Sequence, residues 1–305
     1  MKVFKIIFIN VLIFILVIVM TEISILSYRV FVKKEYNTKN YILGNYSMYD
    51  NYRFDGSSGR LPDIKNVNLN NPPILIFGCS FAYGQYLKRN QIFSYKLSQA
   101  LNRPVYNRAR AGMGLNFMYY QTTKDSFYNE VPKPDTVIYI MIDDIFRRMY
   151  TSMFKLNDIE CVLKYKKKNG EFKSLNTRVN NAIRNTLLRK TINIKFINKF
   201  VDNPSNADTV TNEALDYFIF TRKNLEEHYN SKIRFIVYLY EPIGYQKEFT
   251  DKLIKNGFEV ITYNQITGEN LNLPYYKMVN NGHPKETAWN LIVPKFIEVA
   301  KLKKY

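Results

Sequence analysis

The sequence predicts an α/β protein whose central parallel sheet has helices on both faces. Short continuous apolar runs predict strands that are buried on both faces. Segments with helical spacing of apolar residues separate these runs, and parallel strands need such crossover connections. The chain has 305 residues, 46% of them hydrophobic, which is enough for one large domain with an anchor or for two small domains.

The predicted elements follow one another along the chain in an alternating order. The first strand is Ile74 to Phe77, which lies between two prolines and Gly78. Further strands are predicted over residues 104–107, 135–142, 234–240 and 258–263, and helices over 91–101, 112–128, 213–229, 246–256 and 288–300.

The amino-terminal residues form a long apolar run. Between Phe4 and Tyr28 lie about 20 mostly apolar residues, the length that a helix needs to cross a bilayer. Glu22 is close enough to the end of the run to reach the interface, and no good small-x-small cleavage site follows it. We therefore predict an uncleaved membrane anchor over residues 1–30, a linker packed on the domain over 31–71, and the main domain over 72–305.

The α/β alternation is interrupted over residues 151–211, which we interpret as a basic insertion. Asn169-Gly170, a dipeptide favoured in tight hairpins, lies within the lysine-rich stretch 163–175 and predicts an exposed hairpin. Residues 178–200 have the spacing of a basic helix. This segment could be a lid over a site, a cover that faces the membrane, or a solvated insertion.

The charge favours anionic partners but does not choose among them. Lysine and arginine number 44 against 26 acidic residues, for a formal net charge of +18, which suits membrane surfaces or acidic glycans. No nucleic-acid-binding motif is present, so we expect no nucleic acid partner. Two cysteines, Cys79 and Cys161, provide no disulfide framework. Because no cluster of ligand residues suggests a metal, we expect neither a metal nor an organic cofactor.

Ser80 is the first candidate catalytic residue. Gly78 allows a sharp turn after the first strand, and the carboxyl ends of parallel strands are where open sheets present their ligands. A serine there can expose its hydroxyl as a nucleophile for acyl transfer. The alternative is that Ser80 only caps a helix or a loop.

The chain has only two histidines, and one of them is a candidate general base. His283 lies between Gly282 and Pro284, in a predicted loop directly ahead of a helix. From there an imidazole can reach over the edge of the sheet towards a nucleophile. His228, by contrast, is predicted on the exposed face of a helix and is given no functional role.

Three stretches resemble the sequence blocks of the SGNH or GDSL-type hydrolases, in the order and spacing of that family. They are residues 77–84 (FGCSFAYG), 107–112 (NRARAG) and 280–284 (NNGHP). The resemblance covers residues 72 to about 300. It implies a flavodoxin-like three-layer α/β/α sandwich with a parallel sheet of about five strands. It also implies that Ser80 is the nucleophile, Gly112 the oxyanion-hole glycine and His283 the base.

Two positions depart from the pattern of that family. Asp144 occupies the place of an asparagine that donates to the oxyanion, and an ionised carboxylate there would repel the developing charge. Asp144 must turn away, be held by Arg147 or Arg148, or be replaced by another donor. Asn280 occupies the place of the triad acid, and an amide cannot stabilise a cationic imidazole as a carboxylate does.

Three interpretations of the missing acid stay open at this point. The enzyme could work with a Ser-His dyad, or another acid, for which Asp143 and Glu241 are candidates, could approach His283 in space. Activity could also be weak or absent.

The expected activity is a membrane-anchored serine esterase that removes O-acyl groups, with acetyl favoured, from a cell-surface glycan. The resemblance also implies that the hydrolase domain lies outside the cytoplasm, although the positive charges flanking the span are slightly more numerous after it. One rival is a non-enzymatic glycan-binding or envelope-assembly protein with a damaged triad. The other is an O-acyltransferase of the same fold that excludes water. The sequence does not determine the oligomeric state.

Overall fold

The computed structural model describes most of the domain in which the candidate residues lie. The described residues are helical positions between 9 and 24, and residues 66–110, 114–149, 165–168, 171–174, 207–268, 276–278 and 282–305.

Five parallel strands form the central sheet. They are β1 (Ile74–Gly78), β2 (Val105–Asn107), β3 (Thr136–Met141), β6 (Arg234–Leu239) and β7 (Glu259–Thr262). Their order across the sheet is β2-β1-β3-β6-β7, that of a flavodoxin-like doubly wound sheet, so the predicted α/β class with a central parallel sheet is confirmed. β1 and β3 are buried along their whole length, as their continuous apolar sequences predict.

Helices connect the strands and complete the outer layers. In the described part of the domain they are α1 (Ser80–Tyr83), α2 (Phe93–Leu101), α3 (Leu115–Gln121), α4 (Asp125–Glu130), α5 (Ile145–Arg148), α6 (Ala207–Tyr229), α7 (Gln246–Lys255), α8 (Tyr263–Ile266) and α9 (Glu286–Val299).

Aromatic contacts hold the helical layers together on the two faces of the sheet. On one face α2 packs on α9, where the Phe93 and Trp289 ring centroids are 5.3 Å apart. On the other face α6 contacts α3 and α7, and Phe218 of α6 packs against Phe235 of β6. Helices therefore cover both faces of the sheet, which gives three layers.

One predicted helix, 112–128, is wrong in its extent, because the described part consists of two helices. After α3, the hydroxyls of Thr122 and Thr123 donate to the carbonyls of Tyr119 and Tyr120, each at 2.8 Å. Such bonds from threonine side chains compete with continued helical pairing. The chain turns there, and α4 begins at Asp125.

The hairpin predicted around Asn169-Gly170 is present in the described residues. Strands β4 (Tyr165–Lys168) and β5 (Glu171–Ser174) pair in antiparallel fashion, with Tyr165 opposite Ser174. The rest of the predicted insertion up to residue 206, including the predicted helix at 178–200, lies outside the described residues.

The predicted membrane anchor is described only in part. The described positions between 9 and 24 are helical, and Ile13, Leu16 and Met20 are exposed. None of the helices in the described residues is long and apolar enough to cross a bilayer. The anchor stays a prediction, as does most of the linker at 31–71, which lies outside the described residues.

Candidate active site

The turn after β1 requires a glycine at position 78. Gly78 has φ of +145°, which residues with a side chain rarely adopt. A Cβ on Gly78 would lie 2.7 Å from the Cβ of Ala82 and 2.8 Å from the carbonyl oxygen of Ile140. The close approach to β3 lets the chain turn directly from the sheet into α1, as the sequence predicts.

Ser80 is the first residue of α1 and lies at the carboxyl edge of the sheet. The N–H groups of Gly84 and Gln85 each donate to the Ser80 carbonyl at 3.0 Å, which closes the short helix behind it. The Oγ atom of Ser80 is buried and has no hydrogen-bond partner among the described residues. The hydroxyl therefore caps no helix or loop among the described residues, which argues against the alternative that Ser80 is only a capping residue.

The neighbouring thiol is a poor competitor for the role of nucleophile. Cys79 is fully buried, and its burial raises the pKa of the thiol, an effect that the nearby Arg148 guanidinium opposes. A neutral thiol is a weak nucleophile.

The end of β2 holds α1 in position. Asn107 is buried, and its Nδ2 donates to the carbonyl of Ala82 at 2.8 Å and to the hydroxyl of Ser94 at 3.1 Å. Further on, the Arg110 N–H donates to the Gly78 carbonyl at 3.1 Å, so this stretch runs beside the serine turn. Gly112, two residues later, lies outside the described residues, and its oxyanion role stays a prediction.

His283 lies in a tight backbone hairpin ahead of α9. The Met278 N–H donates to the His283 carbonyl at 2.8 Å, and Gly282 turns the chain with φ of +68°. The imidazole is 8% exposed, with its Nε2 atom buried. Its ring centroid is 5.1 Å from that of Phe81, the residue next to Ser80. The fold therefore brings the two predicted catalytic residues, 203 positions apart in the sequence, into the same part of the molecule.

The helix that follows His283 is tied to the opposite helix of its layer. Glu286, in the first turn of α9, accepts hydrogen bonds from Lys96 Nζ at 3.0 Å and from Gln91 Nε2 at 2.9 Å. The hydrogen bond from Lys96 is the main reason why the pKa of Glu286 is lowered. These contacts join the loop that carries His283 to the segment that leads into α2.

We expect the Glu286→Gln variant to be less stable than the wild type at neutral pH and equally stable at low pH. A carboxylate with a lowered pKa contributes stability above its unfolded pKa, and that contribution is lost as the pH falls through the folded pKa. Thermal unfolding of both proteins from pH 7 to pH 3 measures this, with a lower Tm for the variant only at the higher pH. A constant difference across that range would show that Glu286 does not act through its charge.

Arg148 holds Asp144, which is one of the arrangements that the sequence left open. The Arg148 Nε donates to Asp144 Oδ2 at 2.7 Å, and the Arg148 side chain is only 4% exposed. Gly114 makes room for this packing, since a Cβ there would lie 3.0 Å from the Arg148 Cβ. The guanidinium also lies beside the Cys79 thiol. The carboxylate at the nominal asparagine position is therefore paired with a buried cation next to the serine turn.

The two candidate acids, Asp143 and Glu241, are engaged by other groups. Asp143 Oδ1 accepts from the Gly244 N–H, and the Asp143 N–H donates to Glu241 Oε1 at 3.4 Å. Glu241 Oε2 forms an ion pair with Lys277 Nζ at 3.4 Å. Lys277 lies in the hairpin that carries His283, so Glu241 contacts this hairpin by its ion pair with Lys277.

Three further residues, two from the sequence analysis and one that it did not predict, remain to be placed relative to the site. Asn280 lies outside the described residues, so its place beside His283 stays a prediction. His228 is exposed and stacks on Tyr128, as expected of a surface histidine. Sequence reasoning missed Tyr86, whose ring contacts His283 edge-on with centroids 5.1 Å apart. No sequence pattern could reveal that contact, because the two residues meet only in the folded chain.

In comparisons with known proteins, this chain is similar to solved structures and to nothing else that was compared. No protein-family model matches the chain, and no curated protein matches it. One solved structure is a putative lipolytic protein of the G-D-S-L family from Desulfitobacterium hafniense, at 13% identity and a TM-score of 0.44, covering 75% of this chain and 99% of that one. A G-D-S-L lipolytic protein from Veillonella parvula follows at 12% identity and a TM-score of 0.43, covering 76% and 100%. A carbohydrate esterase matches at 13% identity and a TM-score of 0.44, covering 76% and 65%. At such low similarity, the chemistry must be argued from the residues of this chain.

Proposed function

We propose that this protein is a serine esterase with Ser80 as nucleophile and His283 as general base. The observation that carries the proposal is the juxtaposition at the carboxyl edge of the sheet. The Ser80 hydroxyl is buried with no hydrogen-bond partner among the described residues. The buried imidazole of His283 packs against Phe81, the residue next to Ser80, with ring centroids 5.1 Å apart. Open α/β sheets bind their ligands in the crevice at this edge, where the strand order reverses between β1 and β3.

The proposed reaction is an acyl transfer in two steps. Ser80 Oγ attacks the ester carbonyl and passes its proton to His283, which then protonates the departing alcohol. The N–H groups of Ser80 and Gly112 hold the tetrahedral oxyanion. Water, activated by His283, then hydrolyses the acyl-enzyme and releases the acid. Asp144 does not oppose the developing negative charge, because Arg148 neutralises it.

We further propose that the substrate is an O-acylated, most simply O-acetylated, glycan at the cell surface. The net charge of +18 suits an anionic polymer, and an uncleaved anchor within residues 1–30 would hold the domain at the membrane, outside the cytoplasm. An O-acyltransferase, which passes the acyl group to a sugar hydroxyl instead of water, would use the same nucleophile and base.

The test is covalent labelling and turnover with the full-length protein. We expect the wild type to react with a fluorophosphonate probe and to hydrolyse acetyl esters. Ser80→Ala and His283→Ala should each lose about 10⁴-fold or more in kcat/KM. Because the buried Ser80 hydroxyl has no partner among the described residues, Ser80→Ala should have a Tm equal to or higher than that of the wild type.

Matched controls separate chemistry from folding. Ser98 is another buried serine, but it lies in α2 and donates to the Arg103 carbonyl at 2.7 Å. Ser98→Ala should therefore lose about 1 kcal/mol of stability and keep its activity. His228→Ala should keep both its labelling and its turnover. A folded wild type that is inert towards the probe and towards several acyl esters would refute the proposal and favour a glycan-binding protein.

A further inference from the structure

Tyr86 is an exposed aromatic residue that contacts the proposed base. It is 62% exposed, whereas His283, against which its ring packs edge-on, is 8% exposed. Tyr86, on the segment that follows α1, is thus an exposed neighbour of a nearly buried imidazole.

The backbone of Tyr86 is in a conformation that a tyrosine adopts at a cost. Its φ is +70°, in a turn that the Leu87 N–H closes on the Gly84 carbonyl at 3.2 Å. A positive φ at the third position of such a turn favours glycine or asparagine. Strained residues of this kind are concentrated at binding and catalytic sites. Glycine would adopt this backbone conformation at a lower cost, so the fold does not explain why a tyrosine is present here.

We propose that Tyr86 is a binding platform on which a sugar ring of the substrate packs while its ester lies between Ser80 and His283. This inference rests on the proposed esterase function and names the part of the substrate that the site recognises. One face of a pyranose carries C–H groups, which pack on the electron-rich face of an aromatic ring. The phenol hydroxyl suits the polar edge of a sugar, since tyrosine combines an apolar body with a polar tip.

An acyl chain fits the same surface less well. Long acyl chains need a contiguous apolar patch. In the described domain the exposed large hydrophobic residues are Leu69, Tyr86, Tyr245, Ile254 and Tyr305. Leu69 and Tyr305 belong to the region around Asn102, at the amino end of β2, away from the edge that carries Ser80. Tyr245 follows β6, but its ring packs near Phe146. Among the exposed residues named above, Tyr86 is the one that contacts the base, and its amphipathic ring matches a sugar better than a lipid tail.

The experiment measures binding and turnover separately, in the full-length protein. Binding is measured by calorimetry in the inactive Ser80→Ala background, with O-acetylated tetrasaccharides of glucose, N-acetylglucosamine and galacturonic acid. We expect Tyr86→Gly to weaken binding to at least one of them about tenfold, with Tyr86→Phe within about threefold of the parent. In the active enzyme Tyr86→Gly should lower kcat/KM for that ester about tenfold more than it lowers kcat/KM for ethyl acetate, and leave the Tm equal or higher.

Tyr245 provides a matched control. It also has a positive φ, of +58°, and is 48% exposed, but its ring packs near Phe146 instead of His283. Tyr245→Gly should relieve the same kind of strain without changing binding or KM. Equal losses on ethyl acetate and on the sugar ester in Tyr86→Gly would overturn the proposal, because Tyr86 would then only position His283. Unchanged binding of all three tetrasaccharides would overturn it as well. Binding that depends on Tyr86 in an enzyme without turnover would uphold the platform and refute the esterase.

Discussion

Replacing Gly78 by alanine is expected to destabilise the domain by about 3 kcal/mol and to displace the nucleophile. The added Cβ would meet the Ala82 Cβ at 2.7 Å and the Ile140 carbonyl oxygen at 2.8 Å, and neither atom belongs to a flexible side chain. The φ of +145° adds backbone strain. Because Ser80 lies two residues further on, a shift of about 1 Å there should lower kcat/KM about 10²-fold.

Thermal unfolding and ester turnover of the full-length protein check this prediction. The Tm should fall by roughly 10 °C in a domain of this size. Gly268→Ala is the matched control, since Gly268 also has a positive φ, of +58°, but a Cβ there would meet nothing within 4 Å. That variant should lose only the strain energy, about 1 kcal/mol, and keep its activity. A wild-type Tm and turnover in Gly78→Ala would contradict the geometry described for the turn.

Replacing Arg148 by methionine is expected to lower kcat about 10²-fold, with a smaller effect on KM. Methionine occupies a similar volume in this buried site, but it leaves the Asp144 carboxylate without the cation that pairs with it at 2.7 Å. An uncompensated negative charge at the carboxyl end of β3 opposes the oxyanion, which develops only in the transition state. The unfolding free energy should also fall, because the variant removes one partner of the ion pair. We expect a loss of about 2 kcal/mol and not more, since Asp144 is partly exposed and can regain some solvation.

The double variant Arg148→Met with Asp144→Asn identifies the cause. If the charge of Asp144 is what inhibits, removing that charge should restore most of the lost kcat, and steady-state kinetics with an acetyl ester measures the recovery. If the double variant stays as slow as Arg148→Met, Arg148 acts through its packing beside Cys79 and Gly114, and the electrostatic explanation is wrong.

The elements could be predicted because their signals are local. Ile74–Gly78 and Thr136–Met141 are continuous apolar runs of strand length, and the prolines and the glycine that flank the first of them favour a buried strand over a helix. Gly78, Gly282 and Asn169-Gly170 mark turns for which few residues are suitable. The break between α3 and α4 was missed because threonine hydroxyls that bind the preceding carbonyls have no distinct sequence pattern.

The α/β class and the candidates Ser80 and His283 followed from the sequence, because a turn after a strand and a loop before a helix are encoded by adjacent residues. The strand order and three contacts became visible only in the folded chain: Arg148 holds Asp144, Glu286 ties the His283 loop to α2, and Tyr86 packs against the imidazole. The last two contacts join residues nearly 200 positions apart. Their partners are chosen by the packing of helices on the sheet, and no spacing within one segment can record that choice.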